Sequence, residues 1–214
     1  VTFLARRITD SVELRPLEVW HAEAFAAHMD RAREHIRPWV GPAFVTDTVA
    51  GARATLARYA DATARDGARV YGLWEGDRIL GGVMFVTFDA AWGTCEVGCW
   101  LEPAAEGRGL VTRAVEAILG WAFEERGIVR AEWRCRADNE RSIAVAERLG
   151  MRSEGLARSA WVFAGQRYDK HVFSVLADEW AERTARPAER TARPAERTAR
   201  PPARTARPAA AGRA

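Results

Sequence analysis

The sequence predicts an α+β fold, a mostly antiparallel sheet with helices packed on it. Three observations carry this. Strand-like runs flank Gly76-Asp77 and again Ala164-Gly165, each a hairpin signal. Apolar residues recur at helical spacing between them, most clearly Leu110, Val111, Ala114, Val115, Ile118 and Ala122. The run Ile79 to Val86 is apolar without alternation, which fits a strand covered on both faces.

Taken in order, Val12 to Leu17 alternates as a first strand, and Pro16 marks a turn or edge near its end. Trp20, Ala24, Phe25, Ala27 and His28 then follow at helical spacing. His21 and His28 have no adjacent acidic or cysteine partner and are expected to be ordinary surface or helix-face residues. His35 to Pro42 is a loop by its prolines and glycine, in which Trp39 either walls a binding site or caps the core. Thr46 or Asp47 can cap a helix running to about Arg65, with Val49, Ala52, Leu56 and Tyr59 on one face and Gly67 beyond its end. Val70 to Trp74 and Ile79 to Phe88 form the first hairpin, where Gly81 and Gly82 imply a bulge or a close backbone approach. Gly127 is a natural helix C-cap, and Ile128 to Cys135 is a further strand. Asn139 caps a short helix that stops at Leu149-Gly150, and Arg152 to Phe163 with Gln166 to Leu176 make the terminal hairpin.

One domain over residues 1–181 and an appendage over 182–214 account for the length of 214 residues. From Glu182 the heptapeptide Glu-Arg-Thr-Ala-Arg-Pro-Ala repeats with substitutions. Pro187, Pro194, Pro201 and Pro208 break any helix, and the Arg/Pro/Ala-rich tail has no apolar seam, so it is expected to be disordered. The net charge of +3 sits there: nine arginines and three glutamates fall in residues 182–214, leaving 23 basic and 26 acidic residues before them. A slightly acidic body gives no broad footprint for nucleic acid, which is not expected as a partner.

Three cysteines without a signal-like N-terminus predict a reducing cytoplasm. Cys95 and Cys99 would lie about 13 Å apart on an extended strand, too far to share an ion, so no metal is expected. No apolar run reaches the roughly 20 residues that a bilayer requires. No membrane partner is expected.

The chain is organised around Thr94 to Arg113, read as a strand, a Gly-containing turn and a helix start. Cys95, Val97, Cys99 and Leu101 alternate onto one strand face, and Glu96 is the oddity on the other. Gly107 and Gly109 stand where the helix begins. Free N–H groups and the helix dipole at such an end suit a pyrophosphate, and glycines leave the approach open; a plain turn with no ligand fits those two residues equally.

Further residues add to this stretch: Gly98 and Trp100, Glu106 to Ala114, Asn139-Glu140-Arg141-Ser142, Ala146 to Met151, and Glu154-Gly155. On these the chain resembles the GNAT superfamily of acyl-CoA-dependent N-acyltransferases, in its ribosomal-protein N-terminal acetyltransferase (RimJ/RimL-like) branch. His35 to Trp39 looks like that branch's early segment. The likeness runs from about Val12 to Leu176 and implies a strongly twisted mixed sheet with helices on both faces.

It also implies transfer of an acyl group, acetyl first among them, from acyl-CoA to a primary amine of a protein N-terminus or small molecule. Acetyl-CoA or another acyl-CoA would be the co-substrate, and a homodimer is left open. Glu106, Gly107, Arg108, Gly109, Leu110, Val111 and Thr112 would hold the pyrophosphate. The backbone of Val97, Cys99 and Leu101 would take the pantetheine arm by strand-like bonds. Asn139 and Ser142 match the family motif, and the Ser142 hydroxyl would donate to the departing thiolate; Asn139 is equally a helix cap. Glu96 is the candidate base, since a carboxylate on an apolar strand has a raised pKa; the bland alternative is an edge-strand Glu paired with an Arg. His35, Trp39 and Trp161 are candidate acceptor-binding residues.

Three departures stand out. Ala104 replaces the Gln or Arg that usually opens the cradle motif, Cys99 replaces an aromatic residue, and Trp161 falls where the branch carries a carboxylate. The last weakens a ribosomal acceptor and favours a small or aromatic one. A catalytically weak acyl-CoA or peptide-binding module is the alternative function.

Overall fold

The computed structural model describes residues 5–185. Eight strands form one sheet: β1 (Arg6–Arg7), β2 (Val12–Pro16), β3 (Arg69–Glu75), β4 (Arg78–Asp89), β5 (Thr94–Leu101), β6 (Arg130–Arg136), β7 (Arg152–Phe163) and β8 (Gln166–Leu176). Their spatial order is β1-β2-β3-β4-β5-β6-β8-β7. Every neighbouring pair is antiparallel except β5 and β6. Parallel neighbours need a crossover, which α3 (Leu110–Arg126) supplies.

Helices cover both faces. On one, α3 with α4 (Glu140–Arg148) and α5 (Ala177–Ala185) buries Leu110, Val115, Ile118 and Trp180 against Phe85, Val97, Trp133 and Phe173. On the other, α1 (Ala22–Ile36) and α2 (Val49–Ala64) bury Phe25, Met29, Ala32 and Leu56 against Val70, Ile79, Met84 and Trp100. This double cover explains the unbroken apolar run of β4.

Several expectations shift. The cap of α2 is Thr48, whose Oγ1 accepts from the Gly51 N–H at 3.0 Å, rather than Thr46 or Asp47. Thr46 instead donates to the Thr48 carbonyl, bracing the cap from outside. Val49, at the first turn, is exposed and does not share the packing face of Ala52 and Leu56. The expected domain end at residue 181 falls inside α5. Arg183 donates from its guanidinium to Glu116 and to the Arg148 carbonyl, and its charge lies over the Trp180 ring, so 182–185 belong to the domain. The rest of the proposed tail, 186–214, lies outside the described residues.

His28 is the largest correction. It is fully buried, not a surface residue: Nδ1–H donates to the Ile79 carbonyl and Nε2 accepts from the Trp100 indole N–H, each at 3.0 Å. Its neighbour Glu102, also buried, takes Arg31 and Arg78 on its two oxygens. Burial pushes His28 down to about 4, with Glu102 partly opposing, so the ring is neutral and acts as a two-ended spacer.

Candidate active site

The sheet opens where β5 and β6 part. Thr94 to Val97 pair with Arg130 to Trp133, but Gly98 to Leu101 are bonded to β4 alone. Opposite the parting, β4 slips register between Phe85 and Thr87, so Val86 has no partner and the local twist increases. The result is a cleft of about 990 Å³ between the free edge of β5, the inner side of β6, the start of α3 and the loop after α1.

At one end lies the turn before α3. Gly107 and Gly109 have φ of 74° and 69°, left-handed values that glycine adopts without strain. Gly109 is the N-cap, and the next N–H groups have no acceptor within the helix. A side chain added at Gly107 would meet nothing within 4 Å, so the approach from the cleft is open. Arg113, Arg141 and Arg148 line the same end. Free N–H groups, the dipole and three cations fit a pyrophosphate-bearing co-substrate.

The predicted positions converge here with one exception. Glu96, Val97, Cys99, Leu101, Glu106, Gly107, Gly109, Leu110, Val111, Thr112, Asn139, Ser142, His35, Trp39 and Trp161 all border the cleft. Arg108 does not: its guanidinium turns to Glu75 at 2.7 Å, on β3. Arg141, named earlier only as part of a motif, takes its place among the cations. Glu106 is held by Arg141 at 2.6 Å and His35 at 2.7 Å, tying the cradle to α4 and α1.

Glu96 is on an inner strand, not an edge. Burial pushes its carboxyl upward, while the Lys170 and Arg134 charges pull it partly back. Arg134 is committed elsewhere, 2.6 Å from Glu132 against 3.9 Å from Glu96. Lys170, which also borders the cleft, is the single lysine in the sequence, and its ammonium lies 5.0 Å from the Trp161 ring centre.

Asn139 caps α4, its Oδ1 accepting from the Ser142 N–H. Ser142 Oγ accepts from the Trp133 indole at 3.0 Å, which leaves the hydroxyl proton to donate. Sequence reading gave Trp133 only a place on a strand; a strand-to-helix contact nine residues apart carries no local signal. Burial pushes Cys99 up to about 12 and Cys135 upward, so neither offers a thiolate near neutrality. Among the described residues no cluster of His, Cys, Asp or Glu could hold a metal, and no helix is long and apolar enough to cross a membrane.

Fold and cleft together define an acyltransferase of the GNAT type. The acetyltransferase (GNAT) domain family matches residues 11–152, well over half of the chain, and the chain belongs to that family: it is an acyl-CoA-dependent N-acetyltransferase. YdaF of Bacillus subtilis (strain 168), which carries a provisional ribosomal N-acetyltransferase name, is 27% identical over 81% of this chain and 96% of its own. The ribosomal-protein-serine acetyltransferase of Escherichia coli (strain K12) is 28% identical over 48% of this chain and 56% of its own. In structure, a RimL ribosomal L7/L12 acetyltransferase in complex with coenzyme A overlays at a TM-score of 0.76. That match has 21% identity and covers 82% of this chain and 99% of that one.

Proposed function

We propose that this chain acetylates the N-terminal primary amine of a peptide or protein, with acetyl-CoA laid along the free edge of β5. The parting of β5 and β6 beside the glycine turn carries the reading. Gly98 to Leu101 offer unpaired backbone groups for strand-like bonds to an extended arm, and they lead straight to the start of α3. Acetyl-CoA supplies an activated thioester; the protein supplies position and proton handling.

In this reading the acceptor enters from the α1/α2 side, where Glu96 lies. Glu96 accepts the ammonium proton, so that a neutral amine attacks the carbonyl carbon. The C–S bond breaks as the C–N bond forms, and the sulfur leaves toward Ser142, whose hydroxyl donates to it. Asn139 holds the helix end that carries Ser142, and Trp133 fixes the hydroxyl's direction. The names of the relatives support a protein amine. Trp161, standing where the resemblance implies a carboxylate, supports the second reading, a small-molecule amine.

The test is coenzyme A release with acetyl-CoA and a panel of peptides and small amines, with the product mass measured. A peptide heavier by one acetyl group at its N-terminus is expected. Release no faster than thioester hydrolysis with every primary amine offered would refute the proposal.

A further inference from the structure

The half of the cleft beyond Glu96 is an aromatic chamber. On β5, Glu96, Gly98 and Trp100 follow one another on one face, with Met84 and Val86 of β4 beside them. The loop after α1 contributes Trp39 and Phe44, α2 contributes Tyr59, and β7 contributes Trp161. Gly98 keeps the floor low: a Cβ there would come within 3.2 Å of Val86 and 3.4 Å of Met84.

The chamber is built rather than collapsed. Trp100 lies over Gly82, where a Cβ would sit 2.3 Å from the indole, and its N–H is fixed by His28. Phe44 packs edge-on against it at 4.7 Å. Trp39 stands against the Arg136 guanidinium at 4.6 Å, and Trp161 against Lys170. Among the cleft's described residues, Trp161 also has a buried indole N–H with no hydrogen-bond partner, so its ring rather than its N–H is what the cleft meets. Rigid aromatic walls beside a carboxylate favour a flat apolar group close to an amine.

We infer that the acceptor carries an aromatic side chain next to its reacting amine, seated between Trp39 and Trp161 over the Gly98 floor, while Glu96 meets the amine. This rests on the acetyl-transfer reading and narrows its substrate class. A serine hydroxyl placed there would lose water and find few partners, so small polar N-termini are poor acceptors.

The test uses the full chain with acetyl-CoA and peptides identical except for residue one: Phe, Tyr, Trp, Leu, Ala or Ser. Free phenethylamine is run alongside. Aromatic N-termini are expected to exceed Ser and Ala in kcat/KM by roughly ten- to a hundredfold. W161A and W39A should lower that ratio while acetyl-CoA affinity stays unchanged, which also reports that each variant is folded. Ser or Ala peptides used as well as Phe peptides would overturn the inference and leave peptide acetylation standing. Phenethylamine accepted with every peptide refused would uphold the chamber and overturn the peptide reading. No acceptance of any amine would overturn both.

Discussion

Replacing Glu96 with Gln keeps the side chain's shape and removes its capacity to accept a proton. The carboxylate is four-fifths buried, with 19% of its side-chain surface exposed, and burial is the largest influence on it, pushing its titration upward. A base that must be ionised produces an acidic limb in the rate profile, here displaced above the ordinary carboxylate range. E96Q should lose that limb and lower turnover by roughly 10² to 10⁴-fold, the usual worth of a positioned base. Its neighbours give independent handles: K170M removes a charge that pulls the titration down and should move the limb to higher pH, while E132Q removes one that pushes it up and should move it lower. S142A should cost less and leave the limb in place, since a hydrogen bond to a charged group contributes about 1.5–3 kcal/mol. The assay is single-turnover thiol release against pH, with acetyl-CoA binding measured alongside and expected to be unchanged in E96Q. An intact limb and wild-type rates in E96Q would refute the assignment. Stability supplies a second check. A carboxyl whose folded pKa is raised loses stability as pH climbs from its unfolded value through the folded one, so E96Q should melt no lower than wild type at neutral pH.

Gly109→Val places a β-branched residue at a φ of 69° on the phosphate approach; calorimetry should show acetyl-CoA affinity lost, with a melting shift reflecting about 1–2 kcal/mol of backbone strain. His28→Leu strands the Trp100 N–H at a cost of about 1–3 kcal/mol, while the Ile79 carbonyl keeps the Arg31 guanidinium at 2.8 Å, and denaturant titration should register the loss. In the wild type the same histidine, held down at about 4 from an ordinary 6.5, should make stability fall as pH drops between those values; His28→Leu should flatten that slope. Truncation after Ala181 should lower the melting temperature by removing Arg183 from Glu116 and Arg148, whereas truncation after Ala185 should leave melting and acetyl-CoA affinity unchanged, because residues 186–214 have no apolar side chain larger than Ala and Pro.

The hairpins at Gly76-Asp77 and Ala164-Gly165 were legible because a turn of fixed chemistry joins two neighbouring runs, and both strands of each obey the same local rule. The glycine turn before α3 was legible for the same reason, since its left-handed conformations are a property of the residues themselves. His28 was not. Its partners are Ile79 and Trp100, 51 and 72 residues away, and nothing near it in sequence marks a ring that will bridge them. The end of the domain was misplaced because α5 borrows the first residues of the repeat, Glu182 to Ala185, whose composition belongs to the tail although Arg183 packs on the body. The parting of β5 from β6 was illegible from residue types alone: Gly98 to Leu101 read as ordinary strand, and only the register shows which neighbour they lack.

Lys170 leaves this sequence with one side-chain amine, and that amine borders the cleft. An enzyme that modifies amines thus presents no lysine of its own elsewhere along these 214 residues to compete with the acceptor or to be acetylated in passing. Any acetyl-lysine found on it must sit in the cleft. An amine-directed ester becomes a probe of the cleft without mutagenesis once peptide mapping separates the Lys170 peptide from the α-amine, which also reacts; suppression of the Lys170 label by an acceptor reports occupancy. A protease that cuts after lysine divides these 214 residues once, within β8, where pairing with β6 and β7 protects the bond, so the same residue also provides a one-cut assay of local unfolding beside the cleft.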